Sequence, residues 1–282
     1  MAGIHVVTDS ASDLPAELAD AYGIGVVPLT IRFGDEELVD RVELPAKAFW
    51  DRVVSGGPLP ETAAPAPGAF EQAFLEAAAA GADGVLCITL SAGVSATYQS
   101  ATTAAAATRH SVPVAVVDSR TLTMGTGLLA LAAADMAGDG QPLDTIVGAL
   151  EEMKQRTHVY GILDTLDFLH RGGRIGGAAR LLGSMLSIKP VVEVRDGVVA
   201  VESKQRTRGR SLEYAAHKAA ELGPLERVAV VSALADDIDG LLQAVRAVTC
   251  HHDLVVGELG PVVGTHAGPG TVGLCLVQAV RR

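Results

Sequence analysis

The chain has 282 residues, of which 49% are apolar, 20% charged and only 4% aromatic, enough for one large or two modest domains around an aliphatic, alanine-rich core. Its net charge of −11 excludes a general nucleic-acid binder and a protein held electrostatically on anionic lipid. No apolar run reaches the roughly 18 residues of a membrane span, and the opening Met-Ala-Gly-Ile-His-Val-Val reads as the start of a strand rather than a signal peptide, which points to a cytoplasmic protein without stable membrane insertion.

In chain order, Ile4–Val7 is a short apolar strand. The following Thr8-Asp9-Ser10-Ala11-Ser12-Asp13-Leu14-Pro15 turns into a helix with Ser12 or Asp13 as its cap and Pro15 in its first turn, ending at Gly23. Residues 26–31 predict a strand and 45–54 a helix. Residues 55–68 are rich in Pro, Gly and Ala and read as a loop, with Thr62 its one hydroxyl past Ser55. Phe70, Ala73, Phe74 and Ala77 fall at helical spacing. Strand 85–90, helix 97–108, strand 114–117 and helices 126–137 and 143–155 follow, the alternation of parallel βα units.

The pattern changes after about residue 157. A hairpin is predicted from 188–194 and 198–203 around Arg195-Asp196-Gly197, then helix 208–222, strand 227–232, helix 236–248, strand 254–258 and a strand near 272–278. The fold class is therefore α/β: a mostly parallel N-terminal domain over 1–157 carrying anion-binding loops, and a C-terminal α+β domain over 158–282 carrying the hairpin and a basic face. In parallel sheets ligands collect at the carboxyl ends of the strands, and Asp9-Ser10, Ser91–Ser95 and Asp118-Ser119 all lie just past one, predicting that they converge on one rim.

The loop between strand 85–90 and helix 97–108 is the strongest candidate site. Strand, small-residue loop and helix start aim orphan N–H groups at whatever lies beyond the strand and favour an anion, with Ser95 and Thr97 adding hydroxyls. The bland reading is that Ser95 only caps the helix. Ser95 in Gly93-Val94-Ser95-Ala96-Thr97 is also close to the G-x-S-x-G elbow but lacks its last glycine, which keeps open a serine hydrolase or acyltransferase with His266 as base. His266 is presented from Gly264-Thr265-His266-Ala267-Gly268-Pro269-Gly270, where three glycines and a proline predict a fixed irregular backbone around one imidazole.

Other patterns carry less. Gly125-Thr126-Gly127-Leu128-Leu129-Ala130 fits G-x-G-x-x-A, but seven residues separate it from the strand ending at Val117 and the nearest following acid is Asp135. A dinucleotide site has its glycines directly after a strand and an acid about 20 residues on, so the pattern reads as close helix packing. No Walker A sequence ends in Gly-Lys-Ser/Thr, so the chain shows no nucleotide-holding equipment of its own. Cys87, Cys250 and Cys275 lie in apolar runs without zinc-ligand spacing, and adjacent His251-His252 read as a solvated loop rather than a metal pair. No metal or cofactor is expected. From Arg171 to Arg210 nine basic residues face three acidic ones, a surplus of +6 that leaves −17 on the rest, a local basic face for a specific anionic partner.

Several of these motifs together resemble the DegV family of bacterial lipid-binding proteins. They are Val7–Pro15, Leu90–Ala101, Asp118-Ser119 with Met124–Leu129, Leu169–Ile175, Ile188-Lys189-Pro190, Lys204-Gln205-Arg206-Thr207 and Gly264–Gly270, in family order across almost the whole chain. The resemblance implies a two-domain α/β protein that holds one long-chain fatty acid between its domains and presents it to a separate ATP-using kinase subunit, which makes the acyl phosphate for phospholipid synthesis. Carried over, the carboxylate ligands are Thr62, Ser95 and His266 with the Ala96 backbone N–H. Arg171, Arg174, Lys204 and Arg206 then contact the kinase or the transferring phosphate. The chain departs from the family at Ala96, usually Gly, and at Thr62-Ala63-Ala64-Pro65-Ala66, usually richer in hydroxyls.

Overall fold

A computed structural model describes residues 3–180, 188–248 and 254–280. Cys250, His251 and His252 lie outside them. In chain order the elements are β1 (Ile4–Asp9), α1 (Ala16–Tyr22), β2 (Gly25–Val27), β3 (Thr30–Phe33), β4 (Glu36–Val39), α2 (Ala46–Val54), β5 (Glu61–Ala63), α3 (Pro67–Ala79), β6 (Gly84–Thr89), α4 (Thr97–Thr108), β7 (Val114–Asp118), α5 (Met124–Gly138) and α6 (Leu143–Lys154). After these come β8 (Thr157–Ile162), α7 (Asp167–Arg171), β9 (Lys189–Arg195), β10 (Val198–Gln205), α8 (Arg208–Leu222), β11 (Leu225–Ser232), α9 (Asp239–Arg246), β12 (Val255–Glu258), α10 (Pro261–Ala267) and β13 (Val272–Gln278).

Three sheets form. β2-β1-β6-β7 is wholly parallel, and every residue of β6 is buried, as a central strand covered on both faces requires. β10-β9-β8-β13-β11-β12 is antiparallel apart from the β11–β12 pair. β4-β3-β5 is a small antiparallel sheet. The α/β class is thus present as expected, parallel units first and a sheet-rich part after. α5 joins the two large sheets: it packs on β1 and β6 on one side and on β8, β11 and β13 on the other, and its first ten residues are all buried. Its glycines permit this approach. A Cβ on Gly125 would lie 2.5 Å from both Thr121 Oγ1 and Val159 Cγ2, and one on Gly127 would lie 3.0 Å from the Ser12 carbonyl. The G-x-G pattern is close packing.

Several local expectations are corrected. The strand expected over 26–31 is two strands in different sheets, because Pro28 has no N–H to continue a ladder. The loop expected over 55–68 contains β5, which pairs Thr62 with Ile31. β8 is a further strand whose first residue coincides with the change of pattern. The cap of α1 is Pro15, without a side-chain bond; Asp13 instead takes a left-handed conformation, φ 51°, at the end of a short 3-10 turn over Ser10–Ser12. α9 is shorter than its predicted span. The segment around His266 is not irregular throughout: it is the last turn of α10, stopped by Gly268 at φ 80°. Glycine's helix cost is outweighed there by packing, since Gly264 lets the helix lie on the ring of Trp50.

Candidate functional site

The expected rim is assembled, and its acids are structural. Asp9 accepts from the backbone N–H groups of Ala11 and Leu90, and Asp118 from those of Ala92 and Arg120. These bonds hold the loop after β6. The tip of the β9–β10 hairpin clasps the same loop from the other side. Ser91 Oγ donates to the Gly197 carbonyl at 2.7 Å, Arg120 pairs with Asp196 at 2.9 Å, and a Cβ on Gly93 would lie 2.7 Å from the Gly197 oxygen.

Within this fixed loop Ser95 Oγ lies 2.9 Å from Thr97 Oγ1 and accepts from the Thr97 N–H at 3.3 Å. Ser95 therefore does support the helix start, and its hydroxyl also faces a cavity. Ala96 sits at φ −80°, ψ 1°, a conformation open to any L-residue, so the methyl group where the family usually has glycine brings no backbone strain.

Thr62 and His266 are 204 positions apart in the chain, yet Thr62 Oγ1 and His266 Nε2 are 3.0 Å apart. Each is held by its own element: Thr62 by the β3–β5 ladder, His266 by α10. The single tryptophan anchors that helix. Trp50 Nε1 donates to the Leu259 carbonyl at 3.1 Å, and a Cβ on Gly264 would lie 2.7 Å from the indole. His266 Nδ1 is buried without a hydrogen-bond partner. Burial, with a smaller contribution from the Arg174 charge, lowers the imidazole pKa to about 4, so the ring is neutral at pH 7.

Thr62, Ser95, Ala96 and His266 all line one cavity, with about 190 Å³ open to the centres of water-sized molecules. Most of its remaining wall is aliphatic and comes from both parts of the chain, Leu29 and Leu90 from the first and Leu163, Val192, Val199 and Val262 from the second, with the polar Thr123, Tyr160, Arg174 and Thr271 among them. A mainly apolar cavity with a few polar groups in its wall suits a ligand with an anionic head and an apolar body. The aliphatic wall residues were not singled out in the sequence. The alternation Val192, Val194 along β9 was the available signal, but which face it served depended on a sheet whose neighbour β8 was not foreseen.

The four basic residues separate. Arg174 lines the cavity itself, donating from Nε to the Val94 carbonyl at 3.4 Å and from a terminal nitrogen to the Gly172 carbonyl at 2.8 Å. Arg171 lines an outer pocket that shares Thr62, His266 and Arg174 with the cavity mouth. Lys204, on β10, and Arg206, just past it, are exposed and line none of these cavities. The relay of a serine hydrolase is not assembled: Ser95 Oγ is engaged with Thr97 and His266 Nε2 with Thr62, and among the described residues no carboxylate orients Nδ1.

A family model described as "Uncharacterised protein, DegV family" matches residues 3–279. The chain is 36% identical over 276 residues to a DegV domain-containing protein of Streptomyces coelicolor, covering 96% of this chain and 97% of that one. It is 37% identical over 278 residues to a DegV domain-containing protein of Deinococcus radiodurans, covering 97% and 98%. Among solved structures, a DegV family protein of Thermus thermophilus, described by its fatty acid binding, superposes with a TM-score of 0.88 at 33% identity over 98% of this chain and 100% of that one. DegV of Bacillus subtilis, described as a fatty acid binding protein, gives 0.85 at 29% identity over 99% and 100%. With a family model matched along nearly its whole length, the chain belongs to the DegV family.

Proposed function

We propose that the protein binds one long-chain fatty acid and presents its carboxylate to a separate ATP-dependent kinase subunit for conversion to the acyl phosphate. The observation that carries the lipid reading is a mainly aliphatic cavity that Thr62, Ser95, Ala96 and His266 all line, with Thr62 and His266 in contact. The fatty acid binding described for the Thermus thermophilus and Bacillus subtilis relatives supports it. A buried carboxylate is costly unless several donors receive it; two hydroxyls, the Ala96 amide and the imidazole supply that set. The acyl chain supplies affinity, about 0.8 kcal/mol for each methylene buried.

In this reading the chain performs no bond chemistry. It desolvates and orients the nucleophilic carboxylate, and the partner supplies ATP. The ligand lies between two domains, 1–157 and 158–282. That division is supported by the confinement of every strand of the parallel sheet to the first and of the six-stranded sheet, save Thr157, to the second. The site of action is cytoplasmic, where activated acyl groups are made; among the described residues no helix is long and apolar enough to cross a membrane.

Titrating palmitate into wild type, Ser95→Ala, His266→Ala and the double variant tests the head-group assignment. Loss of one hydrogen bond to a charged group is worth roughly 1.5–3 kcal/mol, so each single change weakens binding about 10- to 150-fold. The double change is less than additive, because both side chains hold one anion. Unchanged affinity in all three variants would remove Ser95 and His266 from the site. For the kinase role, the exposed Arg206 is the cleanest probe, since Arg174 touches the cavity. Arg206→Glu is expected to reduce phosphorylation by the kinase while palmitate affinity stays at the wild-type value; loss of palmitate binding would contradict a docking role.

A further inference from the structure

We propose that Gly172 sets the hydrogen-bonding state of His266, sealing Nδ1 so that the ring's single proton sits on Nε2 and the Thr62 hydroxyl is left free to donate to an anion. The inference rests on the proposed carboxylate site and adds to it the reason that site attracts a negative charge.

The geometry is close and one-sided. Gly172 ends α7, and the position a Cβ would take there is 2.2 Å from His266 Nδ1 and 2.9 Å from Cε1. Only hydrogen fits. The α7 backbone therefore lies directly on one edge of the imidazole, and Nδ1 is buried with no partner. The opposite edge faces Thr62 Oγ1 at 3.0 Å. A second clasp holds the same two helices together: a Cβ on Gly268, just past α10, would meet the ring of Phe168 in α7 at 2.4 Å.

A neutral imidazole has one N–H and one bare nitrogen. A buried N–H without an acceptor is rarer and costlier in proteins than an under-used lone pair. The sealed edge therefore takes the lone pair and the proton goes to Nε2. Nε2–H donates to Thr62 Oγ1, which leaves the threonine's own proton free to turn to the cavity. One proton of the pair, the threonine's, is then available to the ligand.

The other tautomer gives the opposite result. With the proton on Nδ1, Nε2 is an acceptor, takes the Thr62 proton, and the pair shows an anion only lone pairs. The same arrangement bears on base catalysis: an Nε2 that already carries hydrogen has no lone pair with which to activate Ser95.

Gly172→Ala is a direct probe, because Gly172 has φ −74°, ψ −4°, ordinary for alanine. The new methyl group then meets the imidazole first, 2.2 Å from Nδ1, and the Phe168 carbonyl only at 3.1 Å. Two measurements test the proposal. Long-range ¹⁵N–¹H correlation spectra at pH 7 report which nitrogen of His266 carries hydrogen, without any ligand present. Palmitate titration of wild type, Gly172→Ala, His266→Ala and the double variant reports whether the glycine acts through the histidine.

We expect Nε2–H in wild type, and a changed His266 signal in Gly172→Ala with its thermal unfolding near the wild-type value. Affinity should fall about 10- to 150-fold in Gly172→Ala, with no further loss in the double variant than in His266→Ala. Nδ1–H in wild type, wild-type affinity in Gly172→Ala, or losses that multiply would each overturn it. If His266→Ala alone binds palmitate like wild type, the carboxylate assignment fails instead; the spectra of wild type and Gly172→Ala still decide the tautomer and its dependence on the glycine.

Discussion

Asp13→Ala is expected to destabilise the protein by about 2–4 kcal/mol, because it leaves buried donors unsatisfied at about 1–3 kcal/mol each. Asp13 is 2% exposed. Its carboxylate accepts from Thr123 Oγ1 at 2.6 Å and from the Gly260 N–H at 3.0 Å, with the Arg41 guanidinium 3.6 Å away. The acid thereby ties the turn after β1 to the start of α5 and to the residue preceding α10. Asp13, Arg41 and Thr123 all have positive φ, at 51°, 63° and 49°. That backbone is costly for a β-branched threonine and persists only where surroundings over-determine it. Alanine would leave an amide and a hydroxyl without their acceptor and Arg41, which still donates to the Leu14 carbonyl, without its counter-charge. Urea unfolding at pH 8, where the carboxylate is ionised, measures the loss; a change below about 1 kcal/mol, the scale of a surface ion pair, would contradict the role.

The same acid gives stability a pH dependence of defined sign. Burial pushes Asp13 and Asp9 from 3.8 up to about 7, and Asp40 to about 6. Between 3.8 and about 7 the folded chain holds protons that the unfolded chain has released, so this contribution falls as pH rises through that window and levels off above it. His5 and His266 have lowered values and act with the opposite sign below the ordinary imidazole value of 6.5. The difference between wild type and Asp13→Asn isolates the acid: the variant's stability should decline less steeply across the window.

Val192→Trp should abolish most lipid binding while leaving the fold in place. Val192 lines the cavity from β9 and pairs with Gly161 of β8, whose missing side chain leaves bare backbone beside it. An indole at this position projects over that glycine into the space meant for the acyl chain. Denying the chain about four methylene sites removes about 3 kcal/mol, on the order of 100-fold in affinity. Overpacking adds a stability cost of about 1–3 kcal/mol, so circular dichroism on the same sample serves as the folding control. Wild-type palmitate affinity in a folded Val192→Trp would place the acyl chain elsewhere.

The parallel units were legible because β1, β6 and β7 are continuous apolar runs separated by helices of clear spacing. The β9–β10 hairpin was legible from Arg195-Asp196-Gly197, where Asp196 and Gly197 both adopt positive φ. β3, β4 and β5 were not: they are three or four residues long, too short for alternation to declare itself. α10 was hidden by its glycine, whose small size answers to Trp50, far away in sequence. The polar residues of the site could be named singly, since Ser95 stands in a loop of small residues and His266 in a glycine-rich stretch. Their meeting could not be read, because the contact between Thr62 and His266 depends on α10 and β5 being brought together through the core. Gly172 is the plainest case: nothing in Arg171-Gly172-Gly173-Arg174 says that one of its glycines rests on an imidazole.

The central claim is that this cavity is a fatty acid site, and native mass spectrometry of protein purified from a bacterial host tests it most directly. An apolar cavity of this kind fills from a lipid-containing cell. The account predicts a mass increment of one non-covalent fatty acid per chain, released on denaturation and identified in the lipid extract, and absent from Val192→Trp. Apo protein alone, with no uptake of added palmitate or oleate, would contradict it.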